Sequence, residues 1–166
     1  MEISLMDGGV VVVDPIDYDW INARRWHLNN SGYPVSSIKI DGHWTYKLMH
    51  IVICFPEYLT STGKRPVNER IDHKDGNKLN NQRSNLRMAT AKQNARHRTK
   101  ARFDSKTGII GVYWNKKLKR FTSDIYLNGK TKHLGVFDTI EQAKEARIIA
   151  ENIYYGSFAP LRENKK

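Results

Sequence analysis

The stretch IDHKDGNKLNNQRSNLRMATAKQNARH, residues 71–97, determines how the rest of the chain is interpreted. It holds an Asp-His pair and five asparagines, few large apolar residues and a basic end. A packing element would show a hydrophobic stripe, so this segment uses its side chains as oxygen and nitrogen donors instead. A plain polar loop is the alternative, because an Asp-Gly-Asn turn with nearby asparagines is common on its own.

The stretch is predicted to form a strand, a loop, a second strand and a helix. A short strand covers residues 70–74, and residues 75–77 turn the chain. A second short strand lies around residues 86–88. Thr90 then caps a helix that begins near Ala91.

Phosphodiester hydrolysis is a reaction that suits these residue types. An attacking water must lose a proton, which a histidine can take near neutral pH, while Mg²⁺ needs few protein oxygen ligands. Neighbours on a strand face opposite sides, so we expect Asp72 to face the metal and His73 the water and phosphate. Asn94, on the following helix, is expected beside Asp72. Asn85 is expected to tie the loop to itself through backbone hydrogen bonds.

The segment IDHKDGNKLNNQRSNLRMATAKQN resembles the HNH endonuclease family, in the branch common among phage and intron-encoded homing nucleases. The shared features are the D-H pair, DGNKLNN, SNLR and QN, in the order and spacing of the family. The resemblance implies a ββα-metal core with His73 as general base and Asn85 as the brace of the loop. It implies one divalent ion, Mg²⁺ or Mn²⁺, bound by Asp72 and Asn94. His50 matches a histidine that family members often carry, although a core histidine is the alternative.

The resemblance also implies a homing-type DNA endonuclease that leaves 5′-phosphate and 3′-hydroxyl ends. A single site of this kind cuts one strand per engagement. We therefore predict nicking, or double-strand cutting only through a second subunit or a second event. The rival from another class is a non-catalytic DNA-binding regulator, and a weaker rival is an RNA-binding protein.

Residues 1–66 are predicted to be a strand-rich part of the nuclease module. The run GGVVVVDP is typical of a strand, and Asp41-Gly42 is a hairpin turn between two alternating runs. Residues 16–26 are expected to form a short helix. The apolar run MHIVICF suits either a helix or a strand, because its length does not separate the two.

The composition changes after a basic, polar segment, and residues 107–163 show three alternating runs followed by a helix. Asn128-Gly129 is a strong hairpin signal. Thr139 and Gln142 form a capping box, and Gly156 is a helix stop. These signals predict a three-stranded antiparallel sheet packed on one helix. The residues expected on the packed face of the helix are Ala143, Ala146, Ala150 and Ile153.

This second segment resembles the Apetala/ethylene-response-factor DNA-binding domain in its bacterial and phage form. The pattern consists of G-V, Phe121, Ile125, the N-G turn, HLGVFDT and the alanine-rich helix. The resemblance implies that the sheet docks in the major groove, where base edges can be distinguished. The arginines and tryptophan of the plant family are largely replaced, so no target sequence follows.

Strand alternation divides the side chains of this sheet into two sets. The set expected to face the helix is Val112, Trp114, Phe121, Ser123, Ile125 and Leu134. The set expected to face DNA or solvent is Tyr113, Asn115, Lys117, Thr122, Asp124, Tyr126, Thr131 and His133. His97 and Arg98, on the earlier helix, are expected either to contact phosphates or to be solvated.

The net charge of +11 favours double-stranded DNA as the partner over a membrane surface. Cys54 is the only cysteine, which excludes an internal disulfide and a zinc site built from paired cysteines. We expect an intracellular protein of the host cytoplasm, without a signal or transmembrane segment. We expect a monomer or weak dimer with no obligate protein partner. The predicted fold class is α+β, with divisions at 1–66, 67–99, a linker 100–106, and 107–163.

Overall fold

Residues 1–60, 70–96, 101 and 103–160 are described by the structure, a computed structural model. The chain divides into two units, Met1–Ala91 and Lys92–Lys166. Helices and strands are mixed in both, in agreement with the predicted α+β class. The division falls inside the 67–99 segment, and the domain boundaries proposed from the sequence stay predictions.

The first unit begins with five short strands and two helices. They are β1 (Glu2–Ser4), β2 (Val10–Val12), α1 (Pro15–Asn22), β3 (His27–Leu28), β4 (Pro34–Ile40), β5 (His43–Leu48) and α2 (Met49–Cys54). β4 and β5 form the predicted antiparallel hairpin. Asp41 and Gly42 turn it with φ of 49° and 83°, values that suit such a turn. The run whose type was undecided, MHIVICF, forms helix α2.

The remaining strands of this unit frame the loop that carries the Asp-His pair. They are β6 (Arg70–His73) and β7 (Leu86–Ala89), paired antiparallel, and both lie where the sequence predicts them. Their apolar side chains share one core with the N-terminal elements. The buried members of this core are Ile3, Leu5, Val11, Val13, Ile21, Trp26, Met49, Val52, Ile53, Ile71 and Leu86.

Residues near the N-terminus also bind the loop between β6 and β7 directly. The Val12 backbone N–H donates to the Leu79 carbonyl at 2.9 Å, and the Asn81 N–H donates to the Val12 carbonyl at 2.8 Å. The buried carboxylate of Asp17 accepts Nε and Nη2 of Arg83, each at 2.7 Å. The elements β1, β2 and α1, called the N-terminal layer below, therefore support the loop through backbone hydrogen bonds of Val12 and through the ion pair of Asp17.

Replacing Asp17 by alanine is expected to destabilise the protein by about 1–3 kcal/mol, because it removes two hydrogen bonds from Arg83 and one from Nε1 of Trp20. The effect should stay below that of a fully buried pair, since the Arg83 side chain is 49% exposed and can be rehydrated. The urea midpoint of the full chain measures the change. Asp19→Ala, at an exposed position of α1, is the control. Equal midpoints for the two variants would contradict the expectation.

The second unit contains most of helix α3 (Ala91–Arg96) and the predicted sheet and helix. The sheet has strands β8 (Val112–Asn115), β9 (Arg120–Leu127) and β10 (Lys130–Phe137), in the antiparallel order β10-β9-β8. Helix α4 (Ile140–Tyr155) packs on this sheet. Its capping box is present, with the Gln142 N–H donating to Thr139 Oγ1 at 3.2 Å and the Thr139 N–H to Gln142 Oε1 at 3.3 Å. The local signals of this segment are therefore confirmed.

The buried face of α4 differs from the alanine stripe expected. Ala143 and Ala150 are buried, but Ile153 is 68% exposed. The face is rotated because it also buries an ion pair between Arg147 Nε and Glu151 Oε1, 2.9 Å apart. Arg147 further donates to the Asp124 carbonyl, a contact that the missing side chain of Gly111, at φ of 74°, allows.

Two side chains of the sheet differ in exposure from what strand alternation predicts, although the register keeps each on its predicted face. Trp114 was expected against the helix but is 45% exposed, because β8 is an edge strand and its ring rests on Phe121 at 4.9 Å. Thr122 was expected to face DNA or solvent but is only 4% exposed. It lies on the central strand between Tyr113 and Val136, which flank it on both sides.

Candidate active site

The imidazole of His73 is packed into the first unit rather than facing open solvent. Its exposed fraction is 4%, which differs from the expectation that it faces water and phosphate. The cause is the packing of two rings, with centroids 5.1 Å away for His50 and 6.0 Å away for Tyr33. Nε2 of His73 lies 3.4 Å from Oδ1 of Asn81. These neighbours therefore enclose most of the surface of the ring.

Burial keeps the His73 ring neutral at physiological pH. Desolvation lowers its pKa below the ordinary value, although the hydrogen bond with Asn81 and the charges of Asp75 and Asp72 act in the opposite direction. The ring therefore becomes protonated only at pH values below those at which an exposed histidine titrates. A neutral imidazole can take a proton from water, which is the property that a general base needs.

Asp72 lies beside His73 on β6 and forms an ion pair across the hairpin. Its carboxylate is 6% exposed. Oδ2 accepts Nε of Arg87 at 2.8 Å and Nη2 at 2.6 Å. Arg87 stands directly opposite Asp72 in the β6–β7 register, so the guanidinium sets the position of this carboxylate. Arg87 was not among the site residues predicted from the sequence, and the pairing of the two predicted strands is the signal that identifies it.

Asn85 joins the two ends of the loop between β6 and β7. Its Oδ1 accepts the Asp75 N–H at 3.1 Å, and its Nδ2 donates to Asp75 Oδ1 at 3.0 Å and to the Asn80 carbonyl at 2.8 Å. Asp75 also accepts Nδ2 of Asn80 at 2.8 Å and the Asn77 N–H at 2.8 Å. Burial raises the pKa of Asp75, but these hydrogen bonds outweigh it and hold the pKa below its usual range. Asp75 is thus the ionised acceptor around which the loop closes.

The first unit brings Asp72, His73 and Asn85 together, whereas Asn94 lies on α3 in the second unit. The joint binding of a metal by Asp72 and Asn94 stays a prediction. Within the described residues, no group of three His, Cys, Asp or Glu side chains is arranged to hold a metal ion. A carboxylate and an amide oxygen are nevertheless ligands that suit Mg²⁺, which keeps several waters of its own.

The residues predicted to bind DNA fall into four groups. Tyr113, Lys117, Tyr126, Thr131 and His133 are exposed in the second unit. Asn115 is half-buried, and its Oδ1 caps the turn after β8 by accepting the N–H groups of Lys117 and Leu118 at 3.0 and 3.1 Å. Thr122 is buried, as described above, and His97 and Arg98 lie outside the described residues.

Asp124 connects two of the exposed residues on the sheet. The Tyr113 hydroxyl donates to Oδ2 of Asp124, and this bond raises the pKa of Tyr113 to about 12. Nδ1 of His133 lies 2.7 Å from Oδ1 of the same carboxylate. Both oxygens of Asp124 are therefore engaged by neighbours on adjacent strands.

Comparison with known proteins places the Asp-His segment in a family. The family profile described as HNH endonuclease matches residues 47–96. An uncharacterized HNH endonuclease of Acanthamoeba polyphaga mimivirus is 30% identical over 139 residues, which cover 84% of this chain and 67% of that protein. The chain belongs to the HNH endonuclease family. The HNH segment contains His50, Asp72, His73, Asn85 and Asn94, and therefore every catalytic residue predicted from the sequence.

A second relative of this HNH endonuclease is protein 3.8 of Escherichia phage T7. It is 31% identical over 81 residues, which cover 49% of this chain and 66% of that protein. The chain spans about two thirds of the length of each relative. No solved structure matches the chain. In the described part of this endonuclease, no helix is long and apolar enough to cross a membrane.

Proposed function

We propose that this HNH endonuclease is a homing-type enzyme that hydrolyses phosphodiester bonds of double-stranded DNA and cuts one strand per engagement. The observation that supports this most directly is a buried, neutral imidazole next to an anchored carboxylate, both on the strand that leads into a loop closed by an asparagine. A general base needs a neutral imidazole that can take a proton. Neutralisation of the phosphate charge needs a metal ion, and an anchored carboxylate is a group that can hold it.

In the proposed reaction His73 takes a proton from a water molecule. The water oxygen forms a bond to phosphorus, and the bond from phosphorus to the 3′ oxygen breaks. The leaving oxygen keeps the electron pair and is protonated by solvent, which gives 5′-phosphate and 3′-hydroxyl ends. Asp72 and Asn94 would hold one Mg²⁺ or Mn²⁺ ion, which supplies neutralisation of the phosphoryl and leaving-group charge.

The second unit is proposed to dock the duplex through the sheet face that carries Tyr113, Tyr126, Thr131 and His133. This face suits a groove because its exposed side chains are aromatic or hydrogen-bonding, and the whole chain has a net charge of +11. The carboxylate of Asp124 is covered by its bonds to Tyr113 and His133, which reduces its repulsion of phosphate. The likeness of this segment to the Apetala/ethylene-response-factor domain belongs to the same proposal.

Supercoiled plasmid separates this function from DNA binding alone. Incubated with the full chain and Mg²⁺, it is expected to become nicked circles before any linear product forms, because one site cuts one strand. Agarose gels over a time course measure the order of products. Structured RNA added as competitor at fixed salt should compete less well than duplex DNA. Plasmid that stays supercoiled with both Mg²⁺ and Mn²⁺ would contradict the proposal.

A further inference from the structure

The side chain of Asn81 faces the ring of His73 from inside the loop between β6 and β7. We propose that Asn81 is a positioning residue: it holds the proton of the neutral His73 ring on Nε2 and so leaves Nδ1 as the atom that takes the proton from water. The assignment of Nδ1 to this step rests on the function proposed above. The placement of the proton on Nε2 does not rest on that function, because it follows from the contacts of His73 within the protein.

The orientation of the Asn81 amide follows from its second bond. Nδ2 donates to the Lys78 carbonyl at 3.1 Å, which turns Oδ1 toward Nε2 of His73 at 3.4 Å. A reversed amide would set its N–H₂ group against the ring and an oxygen against the oxygen of Lys78. Since an amide oxygen only accepts, Nε2 must carry the hydrogen of the neutral ring. Asn81 is 0% exposed, so no water competes for this side chain.

The ring of His73 is held in this orientation by its neighbours. His50 packs on it edge-on, at an interplanar angle of 74°, and Tyr33 packs on it at 42°. Turning the ring over would place Cε1 where Nε2 now lies and would lose the bond to Asn81. Among the residues that the structure describes, Nδ1 of His73 has no hydrogen-bond partner. Its lone pair is therefore available to a water.

Asn81 is itself fixed by the N-terminal layer. Its backbone N–H donates to the carbonyl of Val12 on β2, and Val12 donates in turn to Leu79. Val12 also forms an isolated parallel bridge with Asn80. The segment that matches the HNH family begins only at residue 47, so a strand outside that segment sets the acceptor that faces the general base.

The proposed proton transfer has a defined balance. One O–H bond of the water breaks as Nδ1 gains the proton and the oxygen forms its bond to phosphorus. The ring then holds hydrogens on both nitrogens and carries a positive charge. The bond from Nε2–H to Oδ1 of Asn81 strengthens at this stage, because its donor is charged. Release of the Nδ1 proton to solvent restores the starting ring.

Long-range ¹H–¹⁵N spectra of the full chain test the placement, since they distinguish a protonated ring nitrogen from a bare one. The signals of His73 are assigned by their loss in His73→Gln. Recorded without DNA at a pH where the ring is neutral, wild type should show hydrogen on Nε2 only. Asn81→Ala should give a mixture of both tautomers and lower kcat by about 10- to 100-fold with unchanged duplex affinity.

Asn80→Ala is the matched control from the same loop. It removes the 2.8 Å hydrogen bond to Asp75 but leaves the Asn81 side chain facing His73. The tautomer of His73 in this variant should therefore be that of wild type. Hydrogen on Nδ1 in wild type would overturn the proposal, as would an unchanged tautomer in a folded Asn81→Ala. If that variant does not fold, the wild-type spectrum decides, since hydrogen on Nε2 only supports the placement and hydrogen on Nδ1 overturns it. An Nε2–H ring in a protein that never nicks plasmid would refute the proposed function and leave the placement intact.

Discussion

His73→Ala is expected to lower the rate of plasmid nicking by about 10²- to 10⁴-fold, the usual contribution of a general base. Duplex affinity should stay at the wild-type level, because the buried ring offers no surface for DNA. Nicking rates under saturating protein measure the first quantity, and gel shifts measure the second. The urea midpoint should be recorded as well, since the substitution leaves space beside His50 and Tyr33.

His43→Ala is the control for this experiment, because His43 is exposed at the turn of the β4–β5 hairpin. It should nick plasmid at the wild-type rate. A His73→Ala protein that is folded, binds duplex and cleaves as fast as wild type would remove His73 from the reaction. A loss of both binding and cleavage would show instead that the substitution disrupts the fold.

Asp72→Asn is expected to lower nicking by about 10²-fold or more, because a carboxylate that anchors a divalent ion contributes through charge neutralisation. Higher Mg²⁺ or Mn²⁺ should recover part of the rate, since the amide is a weaker oxygen ligand. The measurement is the rate as a function of metal concentration for both proteins. The amide can still accept one hydrogen bond from Arg87, so the hairpin is better preserved than in Asp72→Ala.

Asp72→Ala and Asp19→Asn complete this comparison. The alanine variant also removes the carboxylate from Arg87, whose side chain is only 12% exposed, and should cost a further several kcal/mol of stability, about 3–5 at most. Asp19→Asn changes an exposed carboxylate of α1 and should keep the wild-type metal response. If chelator and added metal leave wild-type nicking unaltered, Asp72 has another role.

The helices, strands and turns that could be predicted from the sequence are those marked by residues within or next to them. The Asp41-Gly42 pair marks the β4–β5 turn, where both residues have positive φ, and a Thr-x-x-Gln pattern marks the start of α4. The strands around the Asp-His loop follow from their flanking turns. MHIVICF was undecided because its period and length suit either type, and packing in the core made it a helix.

The surroundings of the general base were not predictable, because they come from distant parts of the chain. Tyr33 and Val12 reach the loop only through tertiary packing, and nothing in their own neighbourhood indicates it. Alternation gives the face of a residue but not its exposure, because neighbours on both sides of a central strand bury a residue such as Thr122. On α4 a periodic alanine pattern misplaced Ile153, because a buried ion pair occupies part of the packed face.

The backbone bonds between Val12 and the loop have a consequence for dissecting this protein. A fragment trimmed to residues 47–96 would keep every residue that the family profile recognises, yet would lack the strand to which residues 79 and 81 are tied. Such an excised piece would keep the motif without the scaffold that orients it, and grafting it onto another carrier would need a substitute for that strand. The smallest autonomous cutting module therefore includes the amino-terminal layer.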